Sequence, residues 1–376
     1  MDTGVREPPP RLAAWKAYDL SENYTSRFGK GNAPMRAAAA LTDNGRRSRF
    51  SVLLAASVIL AVGLLGPRTA GAQDDWEKLP DMPVEKWEAG TVVLDDKLYF
   101  FGGYTEGVRS SKLSHVYDPE ENSWSQIQDL PSAITHMNMV LDGRTVWFAG
   151  GYKDGYKGHT IAEVWNYDID GDRYTAAPLL PDTRGGGGLA LVGRKLHYMG
   201  GVKADRDTDA SDHWVLDLDD WARGTAQWTS VAPMPQPRNQ FSCVTFDGRI
   251  YAIGGQFHHD SEQLDQARVD IYDPDTDAWT TGPPLPKGHS HAEGGTFVHG
   301  GRIYMAGGHT TKPGEAKQVD GDILALSLGE QWEVVGALPM PLSSPAAAII
   351  KGRLYVAGGS PGASKVQADM WVRRAP

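Results

Sequence analysis

A single cysteine, Cys243, stands in this chain of 376 residues, so no intrachain disulfide can staple it. Positive charge is also in deficit. The formal net charge is −10, and the portion after residue 72 holds 27 basic against 42 acidic residues, close to −15. That balance excludes nucleic acid and anionic membrane surfaces as natural partners. Long apolar runs are scarce as well. The run Phe50 to Gly66 follows Arg46, Arg47 and Arg49 and precedes Ala70-Gly71-Ala72, a small-x-small cleavage pattern. Residues 50–72 therefore read as the h-region and cleavage site of a signal peptide, which implies a periplasmic or secreted product. Left uncleaved, the segment is marginal in length for a membrane anchor. Residues 1–49 are expected to be a disordered extension or the result of a start placed too early, because Met35 gives a more ordinary n-region. Arg46-Arg47 fits a twin-arginine signal weakly, and Sec export serves equally.

What remains, residues 73–376, is rich in glycine and proline at regular intervals. Six glycine pairs, Gly102-Gly103, Gly150-Gly151, Gly200-Gly201, Gly254-Gly255, Gly307-Gly308 and Gly358-Gly359, each end a short apolar run such as Leu98 to Phe101 or Leu354 to Ala357. A period of roughly 50 residues built from short strands predicts an all-β, six-bladed β-propeller. An aromatic followed by Leu/Met-Pro recurs six times out of phase with these pairs, from Trp76…Leu79-Pro80 to Trp332…Leu338-Pro339. Trp76 precedes every glycine pair, and only one strand-like stretch, Asp369 to Arg373, follows the last. The economical closure places Trp76 to Leu79 as the missing outer strand of the C-terminal blade, leaving no open edge.

With strands a to d in each blade, antiparallel pairing sends the a-b and c-d links to one face and the b-c and d-a links to the other. The first face carries interchangeable turns such as Asp95-Asp96-Lys97 and Asp118-Pro119-Glu120-Glu121-Asn122. The second is longer and idiosyncratic. Five residues past Leu/Met-Pro lies a ring of Glu88, His136, Gly186, Gln240, His291 and Ala346; one past each glycine pair lies another, Tyr104, Tyr152, Val202, Gln256, His309 and Ser360. Arg184, Arg238, Asn239, His258, His259, His289 and Glu293 stand nearby, so six of the eleven histidines gather on this face. Variable loops on a rigid scaffold are where binding residues concentrate.

The expected ligand-binding set is therefore Glu88, His136, Arg184, Arg238, Asn239, Gln240, Gln256, His258, His289, His309, Tyr104 and Tyr152. Arginines suit a carboxylate, amides suit hydroxyls, and Trp87, Tyr104 and Tyr152 offer flat faces. No metal and no other cofactor is expected, since neither His258-His259 nor His289-Ser290-His291 has a diagnostic ligand spacing. Cys243, within Phe241 to Phe246, is expected to be a small residue of a buried inner strand.

Gly102-Gly103…Tyr117-Asp118-Pro119…Trp124 and Gly254-Gly255…Tyr272-Asp273-Pro274…Trp279 resemble the kelch repeat, over essentially all of residues 74–376. In size and layout the chain is similar to exported bacterial kelch proteins of the N-acetylneuraminate epimerase type. That resemblance implies a proton donor and acceptor, for which Glu293, His291 and His259 are the candidates, and a cationic clamp at Arg238 or Arg184. The copper-radical kelch oxidases are excluded by the strand position of Cys243 and by the missing extra domains. The expected function is an exported propeller binding a carbohydrate or small polar ligand at the b-c/d-a face. A sugar mutarotase or epimerase is the first alternative, a scaffold for a protein partner the second.

Overall fold

The computed structural model describes residues 75–261 and 263–376. The leader and extension expected over residues 1–72 lie outside the described residues. The described residues form six four-stranded antiparallel sheets and four two-stranded ones, with little helix: one short α-helix, Leu218–Ala222, and one 3-10 turn, Glu293–Gly295. No helix among the described residues is long and apolar enough to cross a membrane.

Blade 1 illustrates the unit: strand a is Gly90–Leu94, b is Lys97–Phe101, c is Ser114–Asp118 and d is Ser123–Ile127. Strand b reads as a continuous apolar run because blades cover both of its faces, and Leu98 to Phe101 are all buried. Strand d, at the rim, is mostly exposed. Six apolar clusters among the described residues fill the spaces between neighbouring blades; one joins Phe100 and Tyr117 of blade 1 to Tyr355, Met370 and Val372 of blade 6.

The ring closes as the out-of-phase markers require. Blade 6 combines Ala346–Ile350, Arg353–Ala357 and Met370–Arg374 with the N-terminal strand Glu77–Leu79, paired Glu77 to Val372 and Leu79 to Met370. The rim aromatics explain their own repetition. Each donates a hydrogen bond to a carbonyl of the preceding blade: Trp124 to Pro80, Tyr174 to Gln128, Trp228 to Pro178, Trp279 to Ala232 and Trp332 to Pro283. Trp76 completes the series by donating to Ala337 at 3.2 Å.

Near the axis the glycine pairs do the equivalent work. The amide of the second glycine donates to the next blade, from Gly103 to Ile134 O and round to Gly359, which donates to Lys86 O at 2.7 Å. Both members of each pair have positive φ, and at Gly254 a Cβ would stand 2.3 Å from His289 O, so backbone contact between blades requires glycine there.

Candidate functional site

One residue of each blade turns into the mouth of the axial channel from a left-handed backbone: Glu88, His136, Gly186, Gln240, His291 and Ser344, with φ between 46° and 59°. The sixth member is Ser344 and not Ala346. Blade 6 carries Leu338-Pro339-Met340-Pro341, and counting from the second proline overshoots by two, onto the buried strand a. Backbone bonds tie the ring, including His136 N to Glu88 O, Gln240 N to Gly186 O, His291 N to Gln240 O and Ser344 N to His291 O. The residue preceding each ring member pairs with the second ring, as Trp87 with Tyr104, Thr135 with Tyr152, Asn239 with Gln256 and Ser290 with His309.

Glu88, His136 and His291 meet at the floor of the mouth. His136 Nε2 contacts one Glu88 oxygen, and His291 Nε2 lies 3.7 Å from the other, with all three side chains at most 6% exposed. His309 packs on the His291 ring at 4.1 Å, while Tyr104 and Tyr152 hold the His136 ring edge-on. Above this floor opens a cavity of about 630 Å³, within the usual range for small-molecule sites, lined in part by Trp87, Tyr104, Tyr156, Arg206, His259 and Lys317.

Three cations of this cavity, Lys157, Arg206 and Lys317, escaped sequence reasoning. Arg206, from the b-c loop of blade 3, lies over the Tyr152 ring at 4.5 Å, pairs with Asp260 at 2.8 Å and donates to Gly158 O, knitting three blades together. Lys317, from the b-c loop of blade 5, makes no hydrogen bond or ion pair among the described residues. Burial lowers its pKa, opposed by Glu88 and Asp265. None of these positions recurs in the repeat, because b-c loops differ in length, so no spacing marks them. Asp265 is the other group missed; it is buried, with its carboxyl pushed up to about 6 by burial.

Other expected site residues serve the scaffold. Arg184 and Arg238 are 2% and 0% exposed and do not reach the mouth. Arg184 pairs with Asp182 and Asp212; Arg238 pairs with Asp270 at 2.7 Å and donates to Gly254 O and Ala252 O. They stand two residues before the ring, where blade 1 has Lys86, donating to Gly102 O, and blade 5 has His289, donating to Gly307 O. In blades 1, 4 and 5 that position satisfies a carbonyl of the glycine pair. Blades 2 and 6 carry buried Ile134 and Leu342 there, which is the signal that marks it as a packed position. Asn239 accepts from Gln256 and donates to Asp209, and His258 is held through its backbone N–H to Asp209, so these three lock loops together.

Of the expected proton-transfer groups, His291 forms the floor and His259 the wall, where its Nδ1 contacts Asp260 at 2.6 Å and its ring packs on Tyr152. Burial, followed by neighbouring His136, lowers His259 to about 4. Glu293 lies deeper. With Glu88, His136, Gln240 and Ser344 it encloses a small void, and burial pushes its carboxyl up to about 8, with Glu88 and Asp265 adding to the shift. Below it strand a of each blade lines a channel of mixed polarity; Cys243 is there, half-buried rather than fully buried, its thiol pushed up to about 12 by burial.

Seven described histidines, His115, His197, His213, His259, His289, His291 and His309, are held below the ordinary imidazole value, first of all by burial. A folded pKa below the unfolded 6.5 means their contribution to stability is present above pH 6.5 and is lost as pH falls toward about 4. Asp265 and Glu293 act oppositely, since raised carboxyl values remove stability as pH rises through them. Urea unfolding should therefore show a maximum near about pH 6–7 and a steep acid limb. A profile flat between pH 6.5 and 4 would show that these imidazoles are not buried neutral.

These features define a closed six-bladed propeller with a polar axial mouth. The chain is a kelch-repeat propeller: the KLHDC2/KLHL20/DRC7 kelch-repeats domain matches residues 179–359, and a kelch motif matches 88–131. It is 27% identical over 216 residues, 52% of its length, to a kelch repeat-containing protein of Arabidopsis thaliana, covering 50% of that protein. It is 29% identical over 175 residues to the kelch-like protein terF of Aspergillus terreus, 45% of this chain and 38% of the other. The chain thus spans half or less of these relatives. Among solved structures, that of YjhT superposes with a TM-score of 0.64 at 16% identity, over 78% of this chain and 95% of the other, a likeness of fold.

Proposed function

We propose that the mouth binds a small polar ligand bearing hydroxyls and an anionic group, an acidic carbohydrate being the class that fits, in a protein exported to the periplasm or beyond. The cavity of about 630 Å³ carries this reading. It offers indole and phenol faces at Trp87 and Tyr156 for a sugar ring, an ammonium at Lys317 for a carboxylate, and imidazole and carboxylate groups at the floor for hydroxyls. Lys317→Ala should weaken a sugar acid about tenfold while a neutral hexose is unaffected, as read by calorimetry on the purified chain. Equal affinity of mutant and parent for the acid, or no saturable binding of any sugar, would sink this reading.

A second reading, interconversion of sugar anomers, is favoured by the direct contact of His136 with Glu88 beside His291, a carboxylate and imidazoles able to exchange protons with a bound hydroxyl. NMR of freshly dissolved sugar distinguishes the two: catalysis accelerates anomer exchange, and binding alone does not. Kelch relatives include kelch repeat and BTB domain-containing proteins, so saturable binding of a peptide in place of a sugar would redirect the same mouth to a protein partner.

A further inference from the structure

We propose that Glu88, His136 and His291 form a binding site for one divalent transition-metal cation, of the zinc or iron class, at the floor of the mouth. The three come from blades 1, 2 and 5, and their ligand atoms lie within 4.8 Å of one another. Two imidazoles and one carboxylate leaving further positions open is a donor set that such cations accept.

The two histidines are built alike. His136 Nδ1 lies 2.8 Å from Thr135 Oγ1, and His291 Nδ1 lies 2.8 Å from Ser290 Oγ, the hydroxyl coming from the preceding residue each time. A cation bound through Nε2 would leave Nδ1–H to donate to that hydroxyl, and in both rings Nε2 faces Glu88. Hydrogen bonding of a ligating imidazole through its other nitrogen is the arrangement metal sites use to aim the ring.

A second observation comes from directly beneath. The void shared by Glu88, His136, Gln240 and Glu293 measures about 20 Å³, room for one water. Gln240 is 1% exposed and its Nε2 has no hydrogen-bond partner among the described residues, nor has Glu293 Oε1. An amide donor and a carboxyl oxygen left unpaired around a water-sized space are the partners that a metal-bound water needs. The cavity above leaves the opposite side of the cation open to a ligand, whatever its identity, so the site is independent of the sugar reading.

The test uses the full chain stripped with a chelator and titrated with zinc chloride alone. One equivalent should bind, and zinc X-ray absorption should show two imidazole nitrogens at about 2.0–2.1 Å and no sulfur. Glu88→Gln and His291→Ala, each checked for parental near-ultraviolet circular dichroism, should weaken uptake at least about tenfold, while His299→Ala, on an exposed strand end, should not. Absence of stoichiometric uptake, uptake indifferent to both variants, or a first shell with fewer than two imidazoles would overturn the proposal. Absorption by the unaltered chain decides the matter even if neither variant folds.

Discussion

Arg238→Ala should lose about 3–5 kcal/mol of folding stability, because it breaks a fully buried ion pair and leaves Asp270 to Arg268 alone. Arg238 and Asp270 are both fully buried, 2.7 Å apart, with Arg268 closing on Asp270 from the other side at 2.7 Å. Removal of Arg238 also takes its donors from the carbonyls of Gly254 and Ala252, beside the glycine pair through which blade 4 bonds to blade 5. For a domain of this size the melting midpoint should fall by roughly 6–15 °C. Reading Arg238 as a ligand clamp leads to the opposite expectation, intact stability with lost binding. Calorimetric scanning separates the two, and an unchanged midpoint would return Arg238 to the list of binding residues. Arg238→Met with Asp270→Leu should recover much of the loss, since a matched apolar pair removes both charges together.

The second large effect belongs to the seam. Deleting Asp75 to Pro80 removes three paired residues, the Trp76 bond to Ala337, the Glu77–Arg353 pair and the Lys78–Asp369 pair. It also takes away Pro80 O, the acceptor of Trp124 in blade 1. Loss of the partly buried tryptophan and of Leu79 should cost at least about 3 kcal/mol. The strand Met370–Arg374 would then face solvent with unpaired backbone, and light scattering should reveal association. A urea curve and scattering signal matching the parent would mean that the ring holds without its clasp.

The architecture was legible because its signals are periodic. Glycine pairs, rim aromatics and Leu/Met-Pro steps recur once per blade, and the glycine pairs and rim aromatics are each explained by one backbone or ring-borne hydrogen bond to a neighbouring blade. Positions fixed to that period lie where the count placed them: Glu88, His136, Gln240 and His291 in the first ring, Tyr104, Tyr152, Gln256 and His309 in the second. The count slipped only at blade 6, where two Pro steps compete.

The chemistry between those positions was harder. Arg184, Arg238 and His289 are polar residues next to a polar mouth, but a carbonyl made available by left-handed glycine draws Arg238 and His289 inward, and Asp182 and Asp212 hold Arg184. Arg206 and Lys317 come from loops of unrelated length, whose reach depends on three-dimensional closure alone. The meeting of Glu88, His136 and His291 is likewise invisible to spacing, since 48 or more residues separate any two of them along the chain and the circle brings them within a few ångströms.

At five of its six positions the first ring places a non-glycine residue in a conformation that only glycine adopts freely, and blade 3 shows with Gly186 that glycine fits. The hydrogen bonds holding that circle are made chiefly by main-chain atoms. Side-chain identity there is consequently uncoupled from assembly of the propeller, and one scaffold can be re-equipped for different chemistry by exchanging six residues around its axis without redesigning a single blade.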